Sequence, residues 1–221
     1  MGIKLYGAAL SPYVRKARVV LAEKDIPFEA VHIDPFNAPQ DYSTINPLRR
    51  IPAMEHDGHI IADSAVICDY LEQAFPETRA LYPVDARGRA HALWLEKYAD
   101  YELGPLNTFT VFRNRVIMPL MGKAPDEERI KRALEEKLPP LFAYLESQIA
   151  GREWFAGDQF SVADIAVTSQ FVNFAHGGES LDPGRYPALA AHVEKVLGRP
   201  SFSDLLAREK AFVDKVRGNA G

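Results

Sequence analysis

The first third of the chain alternates short apolar runs with helical apolar spacing. Residues 3–6 and 28–33 form runs typical of strands, and residues 14–24 between them carry apolar side chains at helical spacing. Strand, helix and strand in this order predict a right-handed crossover that joins two parallel strands.

Two further apolar runs and a helix follow. The runs 52–55 and 60–62 flank Asp57-Gly58, a dipeptide typical of a two-residue hairpin turn. A helix then begins at about Ser64, with apolar side chains spaced to pack on the sheet. Together these elements predict an α/β unit of the order βαβ–ββα.

Beyond that unit the chain shows helical patterns and no convincing strand. Helical spacing covers residues 87–103, 106–121, 126–149, 162–176, 187–197 and 202–213. Gly104-Pro105 should break or kink the first pair, and Pro139-Pro140 should kink the third helix near Leu138. We therefore expect an α/β N-terminal domain at residues 1–79, a short linker at 80–86 and an all-α domain at 87–221.

One helix start has a clear capping signal. Ser161 and Asp164 stand at the spacing of a capping box, and Phe160 and Ile165 stand at that of a hydrophobic staple. The sequence predicts that Asp164 caps a buried helix rather than acting as a catalytic acid.

Composition and charge narrow the function. The chain has 221 residues, 47% hydrophobic and 25% charged, which is typical of a globular protein with a sizeable core. The formal charge of -4 gives no basic footprint for nucleic acid. Cys68 is the single cysteine, which excludes an intrachain disulfide and a Cys-x-x-Cys site. No His-Glu-x-x-His motif, signal-peptide pattern or membrane-spanning apolar run is evident, so we expect a cytoplasmic protein without a metal or a membrane partner.

Ser11-Pro12 follows the first strand after a short turn and is the first candidate for chemistry. Serine suits a helix N-cap and proline the first helical position, where the missing N–H costs nothing. This geometry directs a hydroxyl and unpaired backbone N–H groups to one spot at the positive end of a helix dipole. Such a spot favours an anion, for example a thiolate, although a serine that only caps the helix has the same sequence pattern.

Two more candidates lie at other turns of the α/β unit. A cis Ile51-Pro52 bond at the start of a strand would turn the Ile51 backbone outward, with its N–H and C=O free to pair with an extended peptide. Asp63-Ser64 opens the following helix, with Ser64 at or near the N-cap, where its hydroxyl and the next N–H groups can bind a carboxylate. The Asp63 carboxylate can pair with an ammonium group. A trans Ile51-Pro52 bond and simple capping by Asp63-Ser64 stay open as alternatives.

The three candidates are chemically complementary. A hydroxyl for a thiolate, a peptide edge, and a site for an α-carboxylate with its ammonium group would together bind a small γ-glutamyl peptide that carries a thiol. Glutathione is such a peptide, and we expect it as the ligand of this edge of the α/β unit.

With these residues the sequence resembles the cytosolic glutathione S-transferases over nearly the whole chain. The marks are specific jointly and not singly: Ser11-Pro12-Tyr13, Asn46-Pro47 leading to Ile51-Pro52, Asp63-Ser64, Leu81-Tyr82-Pro83 and Ser161-Val162-Ala163-Asp164. The resemblance implies a thioredoxin-like N-terminal domain, an all-α C-terminal domain and usually a homodimer. It implies a transferase with glutathione as co-substrate.

The resemblance also assigns roles to residues. Ser11 matches the serine that activates the thiol in theta-, zeta- and phi-type enzymes. Ile51, before the cis proline Pro52, matches the backbone anchor of the cysteinyl group. Asp63 and Ser64 match the pair that holds the γ-glutamyl group.

Three other positions match less closely. Asn37 and Arg50 fall where phi- and zeta-type enzymes place polar contacts to the glycyl and cysteinyl groups, but many relatives have Lys or Gln in place of Arg50. Tyr6 falls too early relative to the helix to match the catalytic tyrosine of alpha-, mu- and pi-type enzymes. We expect Tyr6 to be a packing residue.

The expected mechanism is thiolate attack. Ser11 donates a hydrogen bond to the glutathione thiolate, and the sulfur attacks an electrophilic carbon of a second substrate. The candidates for the electrophile pocket are Asn107, Phe109, Phe112, Arg113 and Val116. Two alternatives stay open: a non-catalytic glutathione-binding or protein-interaction module with the same fold, and a glutathione-dependent isomerase, dehalogenase or peroxidase.

Overall fold

The computed structural model describes residues 2–218, without the side chains of residues 212 and 215–218. Residues 219–221, the end of the expected all-α domain, lie outside the described residues. The chain divides into two units, Met1–Tyr82 and Pro83–Gly221.

The first unit is built around a four-stranded mixed sheet with the strand order β2-β1-β3-β4. Its strands are β1 (Ile3–Gly7), β2 (Phe28–His32), β3 (Ala53–His56) and β4 (His59–Ala62). β1 and β2 are parallel, β3 is antiparallel to β1, and β4 is antiparallel to β3. The predicted βαβ–ββα, thioredoxin-like unit is confirmed.

Local chemistry explains two features of this unit. Its helices are α1 (Pro12–Glu23), a short 3₁₀ helix (Gln40–Thr44) and α2 (Ser64–Ala74). A Cβ on Gly7 would collide with the side chain of Val14, so glycine lets α1 lie close to the end of β1. Asp57 and Gly58 both have positive φ, 50° and 81°, as a two-residue type I′ hairpin turn requires.

A buried ion pair fixes the end of the first unit. Lys24 is 3% exposed, its Nζ lies 2.7 Å from Glu72 Oε2, and it also donates to the Arg79 carbonyl at 2.9 Å. The Glu72 carboxylate accepts the backbone N–H groups of Leu81 and Tyr82 at 3.2 and 3.3 Å. Because an uncompensated buried charge is strongly unfavourable, these contacts hold α1, α2 and the segment up to residue 82 together.

The second unit is helical and contains no strand among its described residues, which confirms the predicted all-α domain. Its elements are α3 (Ala86–Tyr98), a π-helical segment (Ala99–Ile117), α4 (Met118–Leu120), α5 (Glu127–Arg132), a second π-helical segment (Ala133–Lys137), α6 (Leu138–Ile149), α7 (Val162–His176), α8 (Pro187–Leu197) and α9 (Pro200–Gly218). Every residue from 162 to 174 is buried. A helix enclosed on all sides is the centre of its unit, and α7 has this position.

Of the break or kink predicted at Gly104-Pro105, the break is wrong. Helical structure continues from α3 through the π-helical segment Ala99–Ile117, with Pro105 inside it. Proline is incompatible with the α-helical bond to the fourth residue back, and a π turn replaces that spacing with a wider one. The Pro105 carbonyl is satisfied by the Thr110 hydroxyl, five residues on, at 2.9 Å.

The sequence predicts Pro139-Pro140 inside a helix, but the pair stands at the start of one. It lies in the first turn of α6, which begins at Leu138 directly after the second π-helical segment. The first turn tolerates proline because its N–H groups have no intrahelical partner. What was predicted as a kink near Leu138 is a change of helix type.

The predicted capping box at the start of α7 is confirmed. Asp164 is fully buried and accepts hydrogen bonds from the Ser161 N–H and hydroxyl, both at 2.8 Å, and from the Phe155 N–H at 3.0 Å. Nε2 of His192, on α8, lies 3.0 Å from Asp164 Oδ1. One carboxylate thus connects the preceding loop, the cap of α7 and α8.

Asp164→Ala should lower the free energy of unfolding by about 3 kcal/mol, since it removes a cap and leaves buried N–H donors unsatisfied. The matched control is Asp126→Ala, at the N-cap of α5, where the carboxylate accepts the Arg129 N–H at 3.0 Å and is solvent-exposed. That variant should cost about 1 kcal/mol. Urea denaturation measures both. Equal losses would mean that Asp164 acts only as an ordinary cap.

Candidate active site

The sheet register places three turns at one end of the sheet. Tyr6 of β1 pairs with Ala53 of β3, and Ala53 pairs with Ala62 of β4. Adjacent strands lie about 4.8 Å apart. The turn after β1, the residues before β3 and the residues after β4 therefore begin side by side.

The turn after β1 leads to Ser11, the N-cap of α1. The turn is closed by the Ser11 N–H, which donates to the Ala8 carbonyl at 3.2 Å. Ser11 Oγ accepts a hydrogen bond from the Val14 N–H at 3.4 Å, and no acceptor for its hydroxyl hydrogen occurs among the described residues. The first turn of α1 contains no acidic residue. A half-buried hydroxyl that can still donate thus lies at the positive end of a helix dipole.

Before β3, the Ile51-Pro52 peptide bond is cis. Ile51 is half-buried against a small core cluster that includes Tyr6 and Tyr42. Its backbone N–H and C=O have no hydrogen-bond partner among the described residues. Unpaired backbone groups beside a strand can pair with an extended peptide in the manner of an added strand.

Two residues that sequence reasoning gave no role hold this segment in place. The Arg50 carbonyl accepts the Tyr42 hydroxyl at 3.0 Å and Asn46 Nδ2 at 2.8 Å. Asn46 Oδ1 in turn accepts the Leu48 N–H at 3.0 Å. The Asn46-Pro47 motif was a signal for Asn46, whereas nothing in the sequence distinguishes Tyr42 from an ordinary core tyrosine.

After β4, the N-cap of α2 is Asp63 and not Ser64, which is the first helical residue. Asp63 has a φ of 79°, and its Oδ1 accepts the Ala65 N–H at 2.8 Å. Asp63 is an exposed residue, and its Oδ2 has no partner among the described residues. Ser64 is 3% exposed, and its hydroxyl has no hydrogen-bond partner among the described residues. An acceptor for an ammonium group and a donor for a carboxylate thus lie next to each other.

Asn37 and Arg50, the remaining candidates in this unit, are both exposed. Asn37 lies in a turn closed by its N–H to the Asp34 carbonyl at 3.2 Å. The Arg49 guanidinium donates to the Ala38 carbonyl and so ties the loop after Asn37 to the segment before Ile51.

Tyr6 lies in the core cluster, 8% exposed, and its hydroxyl donates to Glu55 Oε2 at 2.8 Å. Burial raises the pKa of Tyr6 to about 12, and the hydrogen bond to the Glu55 carboxylate adds to the effect. Tyr6 therefore has the position of a packing residue, and its hydroxyl donates its hydrogen bond to Glu55.

The five electrophile-pocket candidates do not lie on one surface. Phe109 and Arg113, four residues apart, are exposed, whereas Asn107, Phe112 and Val116 are buried. The Phe112 ring lies 6.4 Å from the ring of His176 on α7. Neither amide atom of Asn107 has a hydrogen-bond partner among the described residues.

Within residues 2–218, no group of three or more His, Cys, Asp or Glu side chains is arranged to hold a metal ion. None of the helices in that range is both long and apolar enough to cross a membrane.

Comparison with known proteins identifies the family. The family model for the glutathione S-transferase N-terminal domain matches residues 5–79, and that for the C-terminal domain matches residues 112–209. Glutathione S-transferase F10 of Arabidopsis thaliana is 33% identical over 69% of this chain and 72% of that protein. The crystal structure of a glutathione S-transferase from Rhodospirillum rubrum F11 is 31% identical, with a TM-score of 0.83, and the match covers 92% of this chain and 91% of that one.

A third similar protein was solved with a ligand. It is a glutathione S-transferase from Methylobacterium radiotolerans in complex with glutathione sulfonate, 29% identical with a TM-score of 0.76, covering 93% of this chain and 95% of that one. The present chain belongs to the glutathione S-transferase family, which confirms the resemblance seen in the sequence. It is a glutathione transferase with glutathione as its co-substrate.

Tyr6→Phe should leave the pKa of the bound glutathione thiol unchanged and flatten the alkaline stability profile. Because the folded-state pKa of Tyr6 is about 12 and the unfolded value is about 10, its contribution is complete below pH 10 and is lost as the pH rises to 12. Denaturation midpoints between pH 9 and 12 measure the profile, and ultraviolet difference titration measures the thiol. A raised thiol pKa in this variant would assign the activating role to Tyr6.

Proposed function

We propose that this transferase binds glutathione at the end of the sheet where the three turns meet, activates its thiol with Ser11, and conjugates it to a small electrophile. The observation that carries the proposal is the state of the Ser11 hydroxyl. Its oxygen caps α1, and its hydrogen is left to donate. A thiolate sulfur is the acceptor that this donor and the adjacent helix N-terminus favour.

The rest of the peptide finds matching groups at the same end of the sheet. The unpaired N–H and C=O of Ile51 suit the cysteinyl backbone of glutathione as an added strand. The Ser64 hydroxyl suits the γ-glutamyl carboxylate, and Asp63 Oδ2 suits its ammonium group. Arg50 and Asn37 are proposed as exposed contacts near the cysteinyl and glycyl groups.

The chemistry requires a thiolate at neutral pH. A free thiol of this kind has a pKa of about 8.5, so little of it is ionised at pH 7. A hydrogen bond from Ser11 and the dipole of α1 stabilise the anion, and the thiol proton leaves to solvent. The sulfur then forms a bond to the electrophilic carbon, and a leaving group departs with its electron pair. Ser11 remains a donor throughout and forms no covalent bond.

For the electrophile, we propose Phe109 and Arg113 as the surface-facing members of the predicted pocket. They lie on one side of the π-helical segment, and an aromatic ring beside a guanidinium suits a flat, polarised substrate. The buried Phe112, Val116 and Asn107 would support this face from behind rather than touch the substrate.

Ser11→Ala should raise the pKa of the bound glutathione thiol by about one to two pH units, because hydrogen bonds to charged groups contribute about 1.5–3 kcal/mol. Ultraviolet difference titration of the thiolate measures this directly, and kcat/KM with an aryl halide should fall by about tenfold or more. The control is Ser147→Ala, an exposed serine of α6 whose hydroxyl donates to the Tyr144 carbonyl.

The outcomes separate the remaining alternatives. An unchanged thiol pKa in Ser11→Ala would remove Ser11 from the mechanism. Glutathione binding without a thiolate at neutral pH would favour a non-catalytic binding or interaction module. An activated thiolate that conjugates no electrophile would favour isomerisation, dehalogenation or peroxide reduction.

A homodimer is the proposed assembly, with the exposed face of α2 in the interface. Val66 is 53% exposed on that face and borders a shallow cavity of about 420 Å³, whose other lining residues are Asp69, Tyr70, Gln73 and Ala74. Exposed apolar side chains with polar residues around them are typical of association surfaces.

The buried thiol of Cys68 and the absence of a second cysteine support a reducing compartment, and we propose the cytoplasm.

Val66→Glu should convert the dimer to a monomer, because a carboxylate in an apolar interface is costly to desolvate. Size-exclusion chromatography with light scattering measures the molecular mass. Val84→Glu makes the same change at a valine that is 96% exposed on the second unit, and it should leave the mass unchanged. A dimeric Val66→Glu would place the interface elsewhere, and a monomeric parent protein would overturn the proposal.

A further inference from the structure

A cleft lies wholly within the helical unit, and none of its lining residues is assigned to glutathione. It has a volume of about 270 Å³ and is formed by the end of α7, by α8 and by the loop that follows α7. Phe171, Phe174, Val193 and Leu197 give it an apolar lining. The size approaches that of pockets that hold small molecules.

The aromatic part of this lining is rigidly held. The rings of Phe171 and Phe174 lie edge to face at 6.2 Å, and both contact Phe142 of α6 at 5.2 and 5.5 Å. Phe142 also meets Tyr186 edge to face at 5.7 Å. Because Phe171 and Phe174 are only 4% and 3% exposed, the cleft is bordered by small, fixed parts of these rings rather than by mobile side chains.

One wall of the cleft is the segment that contains Glu179, and Arg115 fixes it. The Arg115 guanidinium donates to the Glu179 carboxylate and, at 3.2 Å, to the carbonyl of Gly177. Arg115 itself is not among the residues that line the cleft. The side chain that fixes this wall therefore lies outside the cleft lining.

The cleft has one uncompensated negative charge, that of Glu194, because the Glu179 carboxylate is paired with Arg115. Glu179 and Glu194 line it, and no lysine or arginine does. Glu194 is exposed and has no ion-pair partner among the described residues. Its neighbour Lys195 is engaged elsewhere, with Nζ 2.8 Å from Glu153 and 3.7 Å from the centre of the Trp154 ring.

We propose that this cleft binds a small organic cation with an apolar body, such as an aryl-substituted quaternary ammonium ion. The apolar lining takes the body of the ligand, and Glu194 supplies an unmatched carboxylate for its cationic group. Anions, including glutathione, are disfavoured by the same carboxylate. The proposed ligand is therefore a second class of molecule, and the inference does not rest on the glutathione site.

Calorimetric titration of the full chain with benzyltrimethylammonium tests the proposal, with benzenesulfonate and benzyl alcohol as ligands of similar size. We expect one site per chain for the cation, weaker binding of the alcohol and none of the sulfonate. Amide chemical shifts should change along residues 171–197, and saturating glutathione should leave the cation affinity unchanged.

Three variants locate the site. Glu194→Gln should weaken cation binding by about three- to fivefold. Ala175→Trp, at an exposed position that lines the cleft, should fill it and abolish binding without disturbing the core. Glu128→Gln removes the same charge at an exposed position outside the cleft, without releasing Lys195, and should have no effect. The proposal is overturned if none of the three ligands binds, if all three bind equally well, or if Ala175→Trp binds the cation like the parent protein.

Discussion

The alignment of Tyr6, Ala53 and Ala62 across three strands is the constraint on which the candidate active site depends. A shift of one residue in either pairing would exchange the buried and exposed faces of a strand and move the following turn. The type I′ turn at Asp57-Gly58 fixes one pairing, and the core residues of β1 fix the other. Backbone hydrogen bonds between the strands thus decide how close the turns that carry Ser11, Ile51 and Asp63 begin to one another.

Capping residues at three helix N-termini, the N-caps Ser11 and Asp63 and the capping-box residue Asp164, show how the choice of residue separates structure from chemistry. Asp164 has only acceptor oxygens, and backbone N–H groups, a hydroxyl and His192 surround them. Asp63 caps α2 with one carboxylate oxygen, and the other oxygen has no partner among the described residues. Serine is both acceptor and donor, so Ser11 caps α1 and keeps a hydrogen to give. Of these caps, Ser11 alone offers a donor at the positive end of a helix dipole.

The sequence predicted the features that depend on interactions between residues close together in the chain. The order of strands and helices along the first unit, the hairpin, the capping box and the start of α7 at Val162 follow from local spacing and turn chemistry. The π-helical course of residues 99–117 does not, since proline propensity argues against it and contacts with α7 override that propensity. Nor does helical spacing alone separate the exposed Phe109 from the buried Phe112, and no local signal pairs Lys24 with Glu72. These features depend on which distant residues meet.

A polar group that folding has already satisfied is unavailable to a ligand. The hydroxyl of Tyr6, the ammonium of Lys24 and the carboxylate of Asp164 all have protein partners and are accordingly structural. Polar groups that have no protein partner are instead available to a ligand. In the first unit they are mainly donors at the ends of helices and strands, which suit the anionic parts of a peptide thiol, whereas in the second the carboxylate of Glu194 lines an apolar cleft. Under the two proposals the units therefore bind ligands of different charge, and this difference follows from the groups that each unit leaves unpaired.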